Sequence, residues 1–172
     1  MLYAKAYIEQ FLVRFVRPKR PDLEAPLLDA VDALNLRTPL SDAILAAMVE
    51  AVSEKQTTVY EASTQIFGKI AEYDDRALQM IRDMAISKHA HVRHNALLCL
   101  TQKTQSTACI EIIRDGLRDK SSRVRRKAAD WAIRLPLQSV APDIADALKK
   151  ESNSETAFVM TEALKALQTE ES

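Results

Sequence analysis

Glycine is nearly missing from this chain: Gly68 and Gly116 are the only two in 172 residues. Hairpin turns need residues that accept positive backbone angles, so a sheet built from tight hairpins is excluded. Two cysteines, Cys99 and Cys109, lie in helical patterns without a CxxC spacing. They are too few for a disulfide scaffold and read as small core residues. No long apolar run occurs either, because Lys5, Glu9, Arg14 and Arg17 interrupt the apolar first segment. That segment is too charged to span a bilayer and no cleavable signal pattern follows it, so a cytoplasmic location is expected. Also missing are a phosphate-binding glycine loop, a Ser/His/Asp arrangement and a pair of carboxylates set apart from the helical surface, so no reaction is legible.

What is abundant points one way. Hydrophobic residues make up 47% of the chain, and Ala, Leu, Glu, Lys and Arg dominate, an all-α composition at the length of one domain. Net charge is zero but unevenly spread. Residues 1–86 hold 10 basic and 13 acidic side chains, residues 87–135 hold 11 and 4, and residues 136–172 hold 3 and 7. The basic middle is able to steer an anionic partner, or to be neutralised by its acidic flanks.

One stretch occurs twice. Ile81-Arg82-Asp83, Lys88, Val92-Arg93 and Ala96 return 32 positions later as Ile113-Arg114-Asp115, Lys120, Val124-Arg125 and Ala128. In each copy an apolar helix runs into a polar turn and a second helix opens with Val-Arg. Such a pair cannot bury its apolar stripe alone, so a period of this length predicts stacked neighbours. Upstream, Lys55, Val59 and Ser63 stand in the same register; downstream, Leu148, Val159 and Ala163 fit after an insertion of a few residues. Four helix pairs are expected, at roughly 38–70, 74–104, 106–136 and 138–168.

Residues 1–37 are expected to cap this array and residues 169–172 to form a tail. Tyr3, Tyr7, Phe11 and Phe15 recur every four residues and form either the buried face of a capping helix or a surface for self-association. Arg17-Pro18-Lys19-Arg20-Pro21 breaks the first helix and is expected to be a linker. Asp22, Thr38 before Pro39, Asp74 or Asp75, Ser106 or Thr107, Ser139, and Ser152 with Glu155 are the expected helix starts.

In the third pair, Asp119 precedes Arg125 by six residues across the turn. Here the sequence resembles HEAT repeats, and the resemblance implies a right-handed α-solenoid of the armadillo-like class. In that family an aspartate and an arginine at these positions form a hydrogen-bonded ladder between repeats. Arg93 matches the arginine of the second pair, with Ser87 in place of the aspartate, and Tyr60 and Met160 stand at the arginine positions of the outer pairs. The ladder is therefore expected only in the middle.

The cluster Arg118, Lys120, Arg123, Arg125, Arg126 and Lys127 is the strongest candidate surface. With Val124, Ala128, Trp131 and Leu135 as the core stripe, Arg126, Asp130 and Ile133 point away from it, with Lys127 and Arg134 on a flank. Their cognates in the second pair are His94, Leu98 and Thr101, beside Asn95 and Gln102. HEAT-like solenoids carry such residues along a concave groove, and that resemblance implies binding rather than catalysis. The expected function is a non-catalytic scaffold that binds a protein through His94, Leu98, Arg126, Lys127, Asp130, Arg134, Glu162 and Lys165, with no cofactor; for the basic cluster itself, a solvated turn with one structural arginine and contact with an acidic protein are both open readings. Nucleic-acid binding through residues 118–134 is the alternative. A third reading, an enzyme resembling the HEAT-like DNA glycosylases, draws on Trp131, Asp130 and Arg134 but places Trp131 on the core stripe. His89, His91 and His94 begin one helix and read as cap and surface residues rather than a metal site.

Overall fold

A computed structural model describes residues 10–102, 107–135 and 137–169, with only the backbone of Phe15 and Thr169. Every regular element among these residues is helical. A π-helical turn, Leu12–Val16, precedes nine α-helices: α1 (Pro21–Leu36), α2 (Asp42–Ser53), α3 (Thr57–Ile70), α4 (Asp75–Ala85), α5 (Ala90–Leu98), α6 (Thr107–Leu117), α7 (Ser122–Arg134), α8 (Ala141–Leu148) and α9 (Ser154–Thr169). None of these is long and apolar enough to cross a membrane.

The helices pack in two rows. In one row α2 touches α4, α4 touches α6 and α6 touches α8; in the other α3 touches α5, α5 touches α7 and α7 touches α9. Each helix of the first row also packs on the next helix in sequence, and α1 packs against α2 and α3. One continuous apolar core runs between the rows, from Leu12 to Leu167.

The core shows the period directly. Val59, Val92, Val124 and Thr156 are all buried at equivalent positions, followed by Ser63, Ala96, Ala128 and Met160. Trp131 is matched by Ala163, and Leu135 by Leu167. The fourth helix pair therefore continues the 32-residue spacing without the insertion expected from the sequence. Thr156 is the reason for that error: a polar residue fills the valine position, and its single hydroxyl proton is shared between Ser122 O at 3.3 Å and Asn153 Oδ1 at 3.0 Å. Val159 accordingly lies only partly buried, and Ala157, not Met160, stands at the arginine position.

Polar contacts across neighbouring turns follow the same spacing. Arg93 donates to both carboxylate oxygens of Asp119, at 2.5 and 2.8 Å, and to Ser87 O. One period later Arg125 donates to both oxygens of Glu151, at 2.6 and 2.7 Å, and to Asp119 O. Glu151 stands where an aspartate was expected, so these bidentate contacts continue to the turn before α9. Bidentate arginine–carboxylate pairs of this kind fix geometry as well as charge. Arg20 reaches Glu54 and Glu50 at the other end, and Asn95 ties α5 to the turn after α2 through Val52 O and Glu54 O.

Several helix starts differ from expectation. Helix α1 begins at Pro21, whose fixed φ suits a first helical position, and Asp22 ion-pairs with Arg20 at 2.6 Å instead of capping. Pro26 consequently lies inside the helix rather than in its first turn. Thr38 and Pro39 belong to a connection, and Ser41 caps α2 by accepting from Ile44 N at 3.3 Å. Asp74 caps α4 as expected. Ser139 lies in a 3₁₀ turn, Gln138–Val140. Asn153, not Ser152, accepts from Thr156 N at the start of α9. Ser106 lies outside the described residues, and α6 starts at Thr107.

Both glycines mark close helix approaches. A Cβ on Gly68 would stand 2.1 Å from the carbonyl oxygen of Cys99, and one on Gly116 would stand 2.9 Å from Ala128 Cβ. Cys99 and Cys109 are buried and form no disulfide, as the sequence suggests. Of the N-terminal aromatic stripe, Tyr3, Tyr7 and the Phe15 side chain lie outside the described residues. Phe11 packs partly against the core, while Leu12 and Val16 are the fully buried residues there.

Candidate functional site

Two adjoining hollows open along α5, α7 and α9. The first, a cavity of about 230 Å³, is lined by His94, Arg123, Arg126, Lys127, Asp130 and Val159. The second, a wider cleft of about 570 Å³, is lined by Arg126, Ser154, Glu155, Phe158 and Val159. Arg126 and Val159 belong to both, so the two form one groove between α7 and α9 with His94 at its inner end. Phe158 is 66% exposed, a large apolar side chain left in solvent beside a cluster of charges.

The lining follows from the period. His94, Arg126 and Phe158 occupy equivalent positions on α5, α7 and α9, one helical turn before Leu98, Asp130 and Glu162. Packing Val124, Ala128, Trp131 and Leu135 inward turns Arg126 and Asp130 outward, because residues two positions from a buried one lie on the far side of a helix.

His94 is only 9% exposed. Burial, with the positive charges of Arg123, Lys127 and Arg126, lowers its pKa from 6.5 to about 4, so the ring is neutral near pH 7. Its Nδ1 meets Asn95 Oδ1 at 3.3 Å. Asp130 accepts from Lys127 at 2.8 Å and from Arg134 at 3.1 Å. Burial works against its charge, but these two cations hold the carboxyl below its ordinary value. Lys127 and Arg134 also stand 5.6 and 5.8 Å from the centroid of the Trp131 ring. Arg126 pairs with Glu155 of α9 at 2.5 Å. Arg123, exposed, donates to the Tyr60 hydroxyl at 3.4 Å and has no carboxylate partner among the described residues.

Of the eight residues selected from the sequence, His94, Arg126, Lys127 and Asp130 meet in the first cavity. Leu98 is half-buried. Arg134 flanks Trp131, while Glu162 and Lys165 pair with each other at 2.9 Å further along α9. These last four line neither hollow. Arg123, Ser154, Glu155, Phe158 and Val159 complete the lining and were not among the eight. Adding 32 to Arg123, Arg126 and Lys127 gives Glu155, Phe158 and Val159, so the repeat itself contains the missing signal.

Two neighbours expected beside the groove turn elsewhere. Asn95 is consumed by the turn after α2, and Thr101 Oγ1 donates to Glu72 at 2.8 Å. Trp131 is buried and donates from Nε1 to Leu97 O at 2.6 Å, which makes it a packing element. The histidines do not converge: His91 Nε2 meets Ser53 O at 3.2 Å and stacks obliquely with His89, while His94 faces the cavity.

No protein-family model matches the chain, and no curated protein matches it. A solved structure of an engineered protein from a structural-genomics consortium is similar over 92% of this chain and 78% of its own, at 18% identity and a TM-score of 0.45. That likeness is too distant to bear on the fold or the site.

Proposed function

We propose that this chain is a right-handed α-solenoid of four HEAT-like helix pairs, and that its α5–α7–α9 face is a non-catalytic docking surface for another protein. The row-to-row packing and the 32-residue spacing of Arg93–Asp119 and Arg125–Glu151 support the solenoid. Stacked helices hold such a face rigid, which limits the ordering entropy lost when a partner binds.

The observation that carries the choice of partner is the mixed character of the groove. Its cations are largely matched by its own carboxylates, Arg126 by Glu155 and Lys127 by Asp130, and Phe158 and Val159 add apolar surface. A continuous phosphate backbone needs uncompensated cations to release counterions; a protein surface complements interspersed charge and an exposed aromatic anchor.

Nucleic-acid binding keeps one supporting observation. Lys55, Lys88 and Lys120, in successive turns, are all exposed and have no carboxylate partner among the described residues. The test is a pull-down from nuclease-treated extract with wild-type protein and the double variant Arg126→Glu/Lys127→Glu. A protein recovered by the wild type and lost from the variant supports docking at this face. Recovery that vanishes on nuclease treatment, with binding that falls steeply as salt rises, transfers the function to the lysine row.

A further inference from the structure

The inner cavity carries an acceptor and a cation that the protein itself leaves open. Asn95 Nδ2 donates to Val52 O at 2.7 Å and to Glu54 O at 3.2 Å, so its amide is oriented with the nitrogen toward those carbonyls and Oδ1 toward His94. An oxygen there requires His94 Nδ1 to carry the ring proton. In a neutral ring Nε2 is then a lone-pair acceptor, and it has no hydrogen-bond partner among the described residues. The ring is largely buried, but no buried side-chain nitrogen or oxygen among the described residues lacks a partner, so Nε2 is open to solvent where His94 lines a cavity with three cations.

An occupant that uses both positions donates a hydrogen bond to His94 and accepts from a cation of the same cavity. Arg123 is the cation available, since its contact is the neutral Tyr60 hydroxyl. Charge sets the valence. Arg126 is paired with Glu155, and Lys127 with Asp130, which also takes Arg134, so Arg123 is the guanidinium of the cavity left without a carboxylate. A monoanion fits; a dianionic phosphate would meet Asp130 and Glu155 as repulsive neighbours. An acidic residue within a polypeptide offers this combination, a backbone N–H beside one carboxylate. The adjoining cleft, with Phe158 and Val159 on its wall, gives a neighbouring apolar side chain somewhere to pack.

Resting on the docking function above, we propose that the cavity takes an aspartate or glutamate side chain of an extended partner segment, its carboxylate on Arg123 and a backbone N–H on His94 Nε2, with an apolar side chain next to it against Phe158.

The probe is a random heptapeptide display library selected on the full chain. The expected result is enrichment of sequences with one Asp or Glu within two residues of an apolar side chain. A synthetic peptide of the enriched sequence should lose about tenfold or more in affinity when its acid becomes the amide, and likewise in Arg123→Gln and His94→Leu, as expected for a charge-assisted contact. Thermal melts of both variants establish that they are folded. Enrichment of peptides without an acidic residue overturns the proposal, as does no enrichment, or acidic peptides indifferent to both variants. Non-acidic peptides that still depend on Phe158 would leave the docking function standing and remove only this assignment.

Discussion

Acidification tests the placement of His94 quantitatively. Its folded pKa is lowered to about 4 from an ordinary 6.5, so the unfolded chain binds a proton that the folded chain refuses between those values. The sign follows: stability is complete above pH 6.5, falls as pH falls toward 4, and loses nothing further from this group below it. The full gap is worth about 3 kcal/mol at about 1.4 kcal/mol per unit, and by pH 5 about 2 kcal/mol of it has been lost. Arg123, Lys127, Arg126 and Asp130 face the ring from α7. Asp130, held below its ordinary value, titrates lower. The assay is urea unfolding of the wild type and His94→Asn from pH 7 to pH 5, with the histidine resonances followed by NMR. The wild type should lose about 2 kcal/mol relative to the variant over that range. Parallel stability curves, or a His94 resonance titrating near 6.5, would refute the burial and the cationic surroundings on which the groove rests.

Other consequences concern the packing that positions the groove. Gly68→Ala drives a Cβ into the Cys99 carbonyl; α3 and α5 must separate, and urea unfolding should show a loss of about 1–3 kcal/mol despite the gain in helix propensity. Gly116→Ala, which meets a side-chain methyl at 2.9 Å, should cost less, and the reverse order would contradict the helix contacts. Asp119→Ala strands the guanidinium of Arg93 and leaves Ser121 N without its acceptor; a loss of about 2–4 kcal/mol is expected at pH 7. Burial opposes charge on Asp119, but hydrogen bonds from Arg93 and Ser121 hold its pKa below 3.8. Its contribution therefore persists above that pH and disappears as pH falls below it, a lower window than that of His94. Trp131→Phe removes the donor to Leu97 O and should cost about 1–3 kcal/mol by thermal or urea melt, whereas an unchanged midpoint would argue for an indole in solvent.

How much could be read from the chain depends on which residue types carried the signal. Val92-Arg93 and Val124-Arg125 advertise the second helices because both the apolar knob and the ladder arginine are kept. Thr156 and Glu151 break that pattern chemically while preserving it geometrically: a buried hydroxyl replaces a valine, and a longer carboxylate replaces an aspartate. Sequence matching consequently shifted the fourth pair by three residues and placed Val159 in the core. That shift hid Phe158 and Glu155, which the unbroken spacing from Arg126 and Arg123 would have located. Thr38-Pro39 misled for a local reason, since a cap-and-proline dipeptide also begins ordinary turns and the cap at work is Ser41. The charge count of residues 87–135 identified the basic middle. It could not reveal that Arg126 spends its charge on Glu155 and Lys127 on Asp130, because those pairings depend on helix register and not on composition.

The measurement that bears most directly on the docking face is site-specific photo-crosslinking. Benzoylphenylalanine in place of Phe158 sits on the groove, and the same group in place of Ile86, which is 73% exposed and lines neither hollow, serves as control. A discrete protein adduct from position 158, absent from position 86 and lost when Arg126 and Lys127 are reversed, is the predicted outcome. Adducts from position 86 but not 158, or adducts to nucleic acid alone, would contradict a protein-binding groove along α5, α7 and α9.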